Sequence, residues 1–513
     1  MKNKKLLAIA GIATVMTLSS CSKEPEEVPV LKDFFNTDYA SVVAMIDAIE
    51  VADLTTEKAI EDAFIAYSEL EDSVKSEVTN IDKLQEYRSE VTKLYDVKDR
   101  RGDRIDHSKF LIGTYCVNPY IWTDEHFKAI KDCGIDVITG GAYNQTLLDL
   151  CAKNDLGVFL SYLPGWYGGD GSNSGQLINS IPSGAYNSYA ENFVDNPVIW
   201  AMDVGDEPSS EDFPHYGVLI NEAKELFPDK QIYLNLYPNY ANKDQMGCKT
   251  YYEYIEKYIE NVDTDYICYD HYLYALDMEN GGDPIPSFAN LGIVSSAARK
   301  TDRDFWIVLQ VSSDIADKWI SEQQLRYQAY SAMTFGAKVI HWACYTAGWY
   351  KLHVVDSEGN LTEQYEKLQT VNLEIKDLAN VYMRYTCKDA GFISVKYQGV
   401  VEPVNDEFKE EDDGVIEQSS LSDVKSFPGS SILMGTFEKN VGEGTAFMFT
   451  NVTDYLCEEE QDAQILFKTV DSNVDVIAYA GDSVSRLTAD NDGYYKVDVP
   501  NGMGIFVTVT PVS

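Results

Sequence analysis

Eight short apolar runs, each followed by a stretch long enough for a helix, constrain this chain more than any other feature. They are Phe110–Cys116, Val137–Gly141, Val158–Tyr162, Val198–Asp203, Ile232–Leu236, Tyr266–Asp270, Phe305–Gln310 and Val339–Ala343. Runs of this length suit strands buried on both faces, the condition of a parallel sheet covered by helices. The segments between them carry helix punctuation. In Ala129-Ile-Lys-Asp-Cys-Gly134 a glycine stands at the C-terminal end. Eight units over roughly 280 residues have the size of a (β/α)8 barrel. A doubly wound sheet is the competing arrangement, but no glycine-rich phosphate loop opens the first unit. The expected class is α/β, a (β/α)8 TIM barrel over residues 107–388.

Two further modules flank the barrel. Residues 36–97 carry three apolar stripes at helical spacing: Val42, Met45, Ile46 and Ile49; Ile60, Ala63, Phe64 and Tyr67; Leu84, Tyr87, Val91 and Leu94. They predict a small helical bundle. With Met45-Ile-Asp-Ala-Ile49, Ala63-Phe-Ile-Ala-Tyr-Ser-Glu-Leu70 and Val78-Thr-Asn-Ile-Asp-Lys-Leu84, the bundle resembles three-helix modules of Gram-positive surface proteins. That resemblance implies a spacer or an adhesion module. A charged linker, Asp96–Asp106, follows. From residue 391 to 513 the pattern becomes short alternating strands separated by Gly, Asn and Asp, among them Ser431–Phe437, Thr445–Thr450, Asp475–Tyr479 and Gly504–Val509. These predict an antiparallel β-sandwich. The acidic run Asn405–Glu417 reads as a solvated loop.

The first twenty residues read as an address. Lys2, Lys4 and Lys5 precede an apolar stretch, Leu6–Leu18, that is short for a membrane span. Leu18-Ser-Ser-Cys21 resembles a bacterial lipobox. The resemblance implies a leader over 1–20, lipid on Cys21, and a protein held on the outer side of a bacterial membrane, at the cell surface. A secretory signal that happens to contain a cysteine is the alternative. Residues 21–35 form a polar tether. Its Ser22-Lys-Glu-Pro-Glu-Glu27 resembles the surface-export signal of Bacteroidetes lipoproteins.

The chain holds 83 acidic against 41 basic residues, a net charge of −42. That balance argues against nucleic acid and anionic surfaces as partners. Of nine cysteines, the eight beyond Cys21 are scattered without a CxxC pair, so no zinc spacing exists. Buried free thiols are the default reading, with a disulfide between two of them left open. No metal or cofactor is expected.

Chemistry in a (β/α)8 barrel belongs at the C-terminal ends of the strands. Those ends collect Tyr115, Tyr143, Trp166, Tyr167, Glu207, Tyr237, Asn239, Asp270, His271, Tyr272, Gln310, Trp342, Tyr345 and Trp349. A rim rich in aromatic and amide groups suits a neutral sugar better than a phosphate. At the fourth run, Val198-Ile-Trp-Ala-Met-Asp-Val-Gly-Asp-Glu-Pro208 closes on three carboxylates.

This motif resembles the fourth-strand end of clan A (β/α)8 glycoside hydrolases, where an Asn-Glu-Pro carries the acid/base. Tyr269-Asp-His-Tyr272, Trp306–Gln310 and Ile340-His-Trp342 are similar to later strand ends of the same group. Leu325–Tyr330 and Phe335-Gly-Ala337 resemble barrel–sandwich proteins of gut bacteria. The resemblance implies hydrolysis of an oligosaccharide with Glu207 as general acid/base. Asp206 and Asp270 are then candidate catalytic partners. Tyr115, Trp166, Tyr237, Asn239, His271, Tyr272, Gln310, Trp342 and Tyr345 are candidate sugar-binding residues. Two positions depart from the family pattern. Asp206 replaces the Asn before the acid/base, and Gln310 stands where the nucleophilic Glu belongs. A neutral amide cannot attack an anomeric carbon. Three readings stay open: assistance by a substrate acetamide, Asp270 as nucleophile or base, and a barrel that binds glycan without cutting it. Each residue also has a bland role, with Asp206 as a helix N-cap, Trp342 as a barrel plug and Gln310 as a structural amide.

Overall fold

The computed structural model describes residues 38–98, 104–161, 171–187, 193–274, 285–313, 318–394, 421–426, 429–458, 461–481 and 483–512. The leader, Cys21, the tether, Trp166 and the acidic run lie outside the described residues. Eight parallel strands close into a barrel in chain order: β1 Leu111–Tyr115, β2 Val137–Ala142, β3 Gly157–Ser161, β4 Ile199–Asp206, β5 Gln231–Leu236, β6 Tyr266–His271, β7 Asp304–Gln310 and β8 Ala337–Ala343. The (β/α)8 barrel expected from the sequence is the architecture found. β4 runs three residues past its predicted end.

Side chains alternate between two cores. Ile112, Ile138, Val158, Met202, Leu234, Ile267, Ile307 and Ile340 belong to the core under the helices. Leu111, Val137, Phe159, Ala201, Tyr233, Tyr266, Trp306, Val308 and Val339 fill the lumen. The rings stack there. Tyr266 lies flat on Trp306 with centroids 3.9 Å apart, and Phe159 meets His341 edge-on at 5.5 Å. The barrel is therefore a filled core, and a ligand meets it from its mouth.

Nine strands follow among the described residues. β9 Tyr385–Ser394, β11 Ile432–Lys439, β12 Thr445–Asn451, β14 Val474–Ala480, β15 Ser483–Arg486 and β17 Gly504–Pro511 form a six-stranded antiparallel sheet. β10 Leu421–Ser426, β13 Ala463–Thr469 and β16 Tyr495–Val499 form a three-stranded one. The two sheets enclose a core of their own that includes Ile432, Phe447, Phe467 and Val507. The first sandwich strand starts at Tyr385, inside the stretch assigned from sequence to the barrel. Tyr382, at the end of helix Glu363–Tyr382, packs edge-on against Phe437 and Phe506, each at 5.5 Å. That contact joins barrel to sandwich.

The predicted N-terminal bundle comprises helices Tyr39–Asp47, Glu57–Ser68, Asp72–Lys75 and Ile81–Lys93. Val42, Ile46, Ile49, Ile60, Ala63, Phe64, Leu84 and Val91 are buried as the stripes require. Leu94 is exposed, since it caps its helix instead of continuing it. The bundle does not stand apart as a spacer would, because its core runs on into that of the barrel helices and sandwich. A buried ion cluster crosses the junction. Arg384, just after helix Glu363–Tyr382, pairs with Glu57 at 3.1 Å and Glu61 at 2.8 Å. Lys439 of β11 reaches Glu57 at 3.0 Å, and the Tyr95 hydroxyl donates to Glu57 at 2.6 Å. Burial alone would raise the Glu57 carboxyl, but Arg384 and Lys439 hold it below its usual range. Arg88 approaches Glu61 at 3.6 Å and stacks on Phe64. At the surface Arg486 joins Asp62 to Asp475 at 2.6 Å each. No helix among the described residues is long and apolar enough to cross a membrane.

Candidate active site

The acid cluster at the mouth depends on an irregularity in β4. Asp203 stands opposite Tyr233, Gly205 opposite Leu234 and Asp206 opposite Asn235, so the pairing slips between Asp203 and Gly205. Val204 is the extra residue of a β-bulge. In a regular strand, positions three apart face opposite sides. Here the bulge sets both Asp203 and Asp206 beside the lumen-facing Tyr233 and Asn235. Gly205 takes the outer face, where a Cβ would lie 2.5 Å from the Tyr216 hydroxyl. Glu207 follows in a left-handed conformation, φ 47°, with its N–H donated to the Asn235 carbonyl at 2.9 Å. A residue with a Cβ in that conformation costs about 1–2 kcal/mol, and such strain gathers at functional sites.

Asn235 organises the carboxyls. Its Nδ2 donates to Asp206 Oδ1 and to Asp270 Oδ1, both at 2.9 Å. Asp270 is 2% exposed, and its second oxygen has no hydrogen-bond partner among the described residues. Burial pushes the Asp270 carboxyl well above its usual range, and the charges of Glu207 and Asp206 push it further. Burial likewise raises Asp206 to about 6 against the Asn235 hydrogen bond. Burial, then the charge of Asp206, raises Asp203. Asp203, Asp206 and Asp270, so placed, cannot all ionise at neutral pH. Beneath them, the Tyr115 hydroxyl donates to Tyr233 at 2.8 Å, Tyr233 meets Cys268 Sγ at 3.4 Å, and Cys268 donates to Asn235 Oδ1 at 3.6 Å. A chain of hydrogen bonds thus ties β1 to the acid cluster.

These raised carboxyls give a stability signature. Unfolded Asp titrates near 3.9, whereas folded Asp206 keeps its proton to about pH 6. Between those values the folded state binds more protons, so stability falls as pH rises, by up to about 1.4 kcal/mol per pH unit for one group. Asp206→Asn is expected to flatten this limb. Thermal melts at pH 4, 5 and 6 check it, and an unchanged slope would remove Asp206 from the account.

The other candidates divide. Tyr272 stays at the mouth, where it packs with Trp349 and Tyr350 at centroid distances of 6.2 and 5.6 Å. Trp349, on the predicted rim, is 51% exposed. His271 is turned toward the helical layer, with Nδ1 3.2 Å from Asn290 Oδ1, and burial lowers its pKa to about 4. The exposed Tyr240 ring covers its edge at 5.2 Å. Asn239 gives its backbone N–H to Asn290 Oδ1 at 2.8 Å and is half-buried.

Four other candidates are buried. Trp342 alternates outward on β8, is fully buried, and donates its indole N–H to Asn372 Oδ1 at 2.9 Å, so it plugs the barrel–helix layer. Tyr237 is 1% exposed beneath Tyr254. Tyr345 is buried in the helical core, held by its N–H to the Tyr115 carbonyl. Gln310 is fully buried, its oxygen accepting from the Tyr274 N–H at 2.8 Å and its nitrogen donating to the Ser312 carbonyl at 2.9 Å. It is a structural amide.

Sequence reading missed Asn235 and Tyr240. Asn235 lies inside an apolar run, and only the strand register reveals its neighbours. Tyr240 follows a strand end in Tyr237-Pro-Asn-Tyr240 and was legible as another rim aromatic. Among the described residues no group of three His, Cys, Asp or Glu side chains has the arrangement of a metal site.

No protein-family model matches the chain, and no curated protein matches it. Solved structures with a similar fold include the β-galactosidase of Bacillus circulans sp. alkalophilus, 11% identical over 78% of this chain and 99% of that one, TM-score 0.42. The endo-β-1,4-mannanase of Thermotoga petrophila is 10% identical over 79% and 99%, TM-score 0.37. A catalytic mutant of Gan42B, a GH42 β-galactosidase from G. stearothermophilus, is 11% identical over 55% of this chain, TM-score 0.38, and the match spans 58% of that protein's length.

Proposed function

We propose that this protein hydrolyses glycosidic bonds in a neutral extracellular oligosaccharide, with Glu207 as general acid/base. Cleavage needs a carboxyl that gives its proton to the leaving oxygen and a second group that serves the cationic sugar. The observation that carries the reading is the Asp206–Asn235–Asp270 bridge beside Glu207. Groups so close hold fewer charges than carboxyls, so an acid and a base coexist near neutral pH. Glu207, half-exposed on its strained turn, meets the leaving oxygen. Asp270, with one oxygen fixed by Asn235, orients water or a substrate acetamide on the other side of the sugar. The Tyr272–Trp349–Tyr350 cluster offers stacking faces, and the carboxyls repel anionic sugars.

Sugar release from a panel of neutral oligosaccharides by residues 22–513 tests the proposal. Release is expected, and Asp270→Asn should lower it by at least about a hundredfold. Binding without release would favour the second reading, a surface glycan receptor, which the structural role of Gln310 supports. Trp349→Ala is expected to weaken sugar binding. Trp342→Phe should spare binding and cost about 1–3 kcal/mol of stability by orphaning Asn372. Titration and melting of both variants separate the two roles. The leader motif further supports anchoring through Cys21. Cys21→Ser should then move the protein from the membrane to the soluble fraction.

A further inference from the structure

A pair of thiols at the mouth has no part in the chemistry above. β1 and β8 pair in parallel, with Thr114 opposite Trp342. The seam continues beyond the last strand residues, since Tyr345 and Thr346 donate their N–H groups to the carbonyls of Tyr115 and Cys116 at 2.9 and 3.0 Å. Cys116 and Cys344 are therefore neighbours across it. Adjacent strands lie about 4.7–4.9 Å apart, inside the roughly 4.4–6.8 Å span of Cα atoms that a disulfide bridges. Both sulfurs converge beneath one residue: a Cβ on Gly348 would lie 2.7 Å from Cys344 Sγ and 3.0 Å from Cys116 Sγ. Cys116 is half-buried in a left-handed conformation, φ 62°, and Cys344 is fully buried.

We infer that Cys116 and Cys344 form an oxidisable pair, closed to a disulfide across the β1–β8 seam by a small-molecule disulfide. The thiols differ in reactivity. A hydrogen bond from Cys344 holds the Cys116 thiol below its usual range, while burial pushes Cys344 up. Burial raises every other shifted thiol among the described residues, namely Cys133, Cys151, Cys248, Cys268, Cys387 and Cys457. The thiolate, not the thiol, attacks. Cys116 loses its proton to solvent and attacks the oxidant, whose S–S bond breaks to release one thiol and leave a mixed disulfide. Cys344 then loses its proton and displaces the second oxidant thiol. Two protein S–H groups are oxidised, one S–S bond forms, and the oxidant leaves as two reduced thiols. The new bond sits under Gly348, at the base of the Trp349–Tyr350 loop, so its formation tightens that side of the mouth. The inference stands independently of the proposed hydrolysis.

The test uses the whole folded protein, fully reduced and then incubated with oxidised glutathione. Differential alkylation and peptide mapping should show loss of two alkylatable thiols, at Cys116 and Cys344, in a cross-linked peptide pair lighter by two hydrogens. Dithiothreitol should restore both. In Cys344→Ala, Cys116 should instead stop at the glutathione adduct. In Cys116→Ser, Cys344 should stay fully alkylatable. Hydrogen exchange over residues 346–350 should slow in the oxidised protein. A glutathione adduct on wild-type Cys116 beside an intact Cys344 thiol, or no reaction at either, overturns the inference.

Discussion

Replacing Glu207 by Gln is expected to lower sugar release from a natural glycoside by at least about a hundredfold, the scale of losing general acid help, while an aryl glycoside with a good leaving group loses far less in its first step. The asymmetry follows from the role. An alkoxide leaving group needs the Glu207 proton, whereas a nitrophenolate departs without it. The substitution keeps volume and hydrogen-bonding capacity, so the strained turn at φ 47° and the backbone bond to Asn235 persist. Steady-state kinetics on both substrate types check the two losses together. Equal loss on both substrates would mean that Glu207 does not donate to the leaving group, and activity within a few-fold of wild type would end its assignment.

The largest expected effect on stability lies far from the mouth. Arg384→Ala should destabilise the protein by about 3–5 kcal/mol, the cost of leaving a buried partner charge uncompensated. Arg384 is 1% exposed and faces Glu57 and Glu61 together. Its removal takes the nearer cation from Glu61, itself 7% exposed, which keeps Arg88 at 3.6 Å, and leaves Glu57 with Lys439 and the Tyr95 hydroxyl. Thermal unfolding reads the loss. Adding Glu61→Gln to Arg384→Met should recover part of it, because the orphaned charge goes with its partner. If the double variant melts no higher than Arg384→Met alone, lost packing rather than charge is the cause.

The barrel was legible because its strands are covered on both faces, so that Val198–Met202 and Phe305–Leu309 read as continuous apolar runs. The sandwich was legible only in part. β11, β12, β14 and β17 carry strong apolar alternation, while the edge strand β15, Ser483–Arg486, holds one buried residue in four. At the site, Glu207 and Asp270 could be placed at strand ends by counting, but their relation could not. The bulge at Val204 and the bridging amide of Asn235 depend on register between strands, which one sequence does not carry. The burial of the aromatic candidates was hidden for a related reason. Trp342 and Tyr345 flank the end of β8, and whether an aromatic there faces sugar or helix depends on its parity along the strand, which residue type cannot give.

The docking of the N-terminal bundle has a mechanical consequence. A pull applied at residue 38 does not travel straight along the chain to β1. The Glu57–Arg384 and Arg486–Asp62 links pass the load sideways into the sandwich and the last barrel helix. Under tension the bundle should shear from the sandwich before the barrel extends, so the mouth keeps its shape while the junction yields.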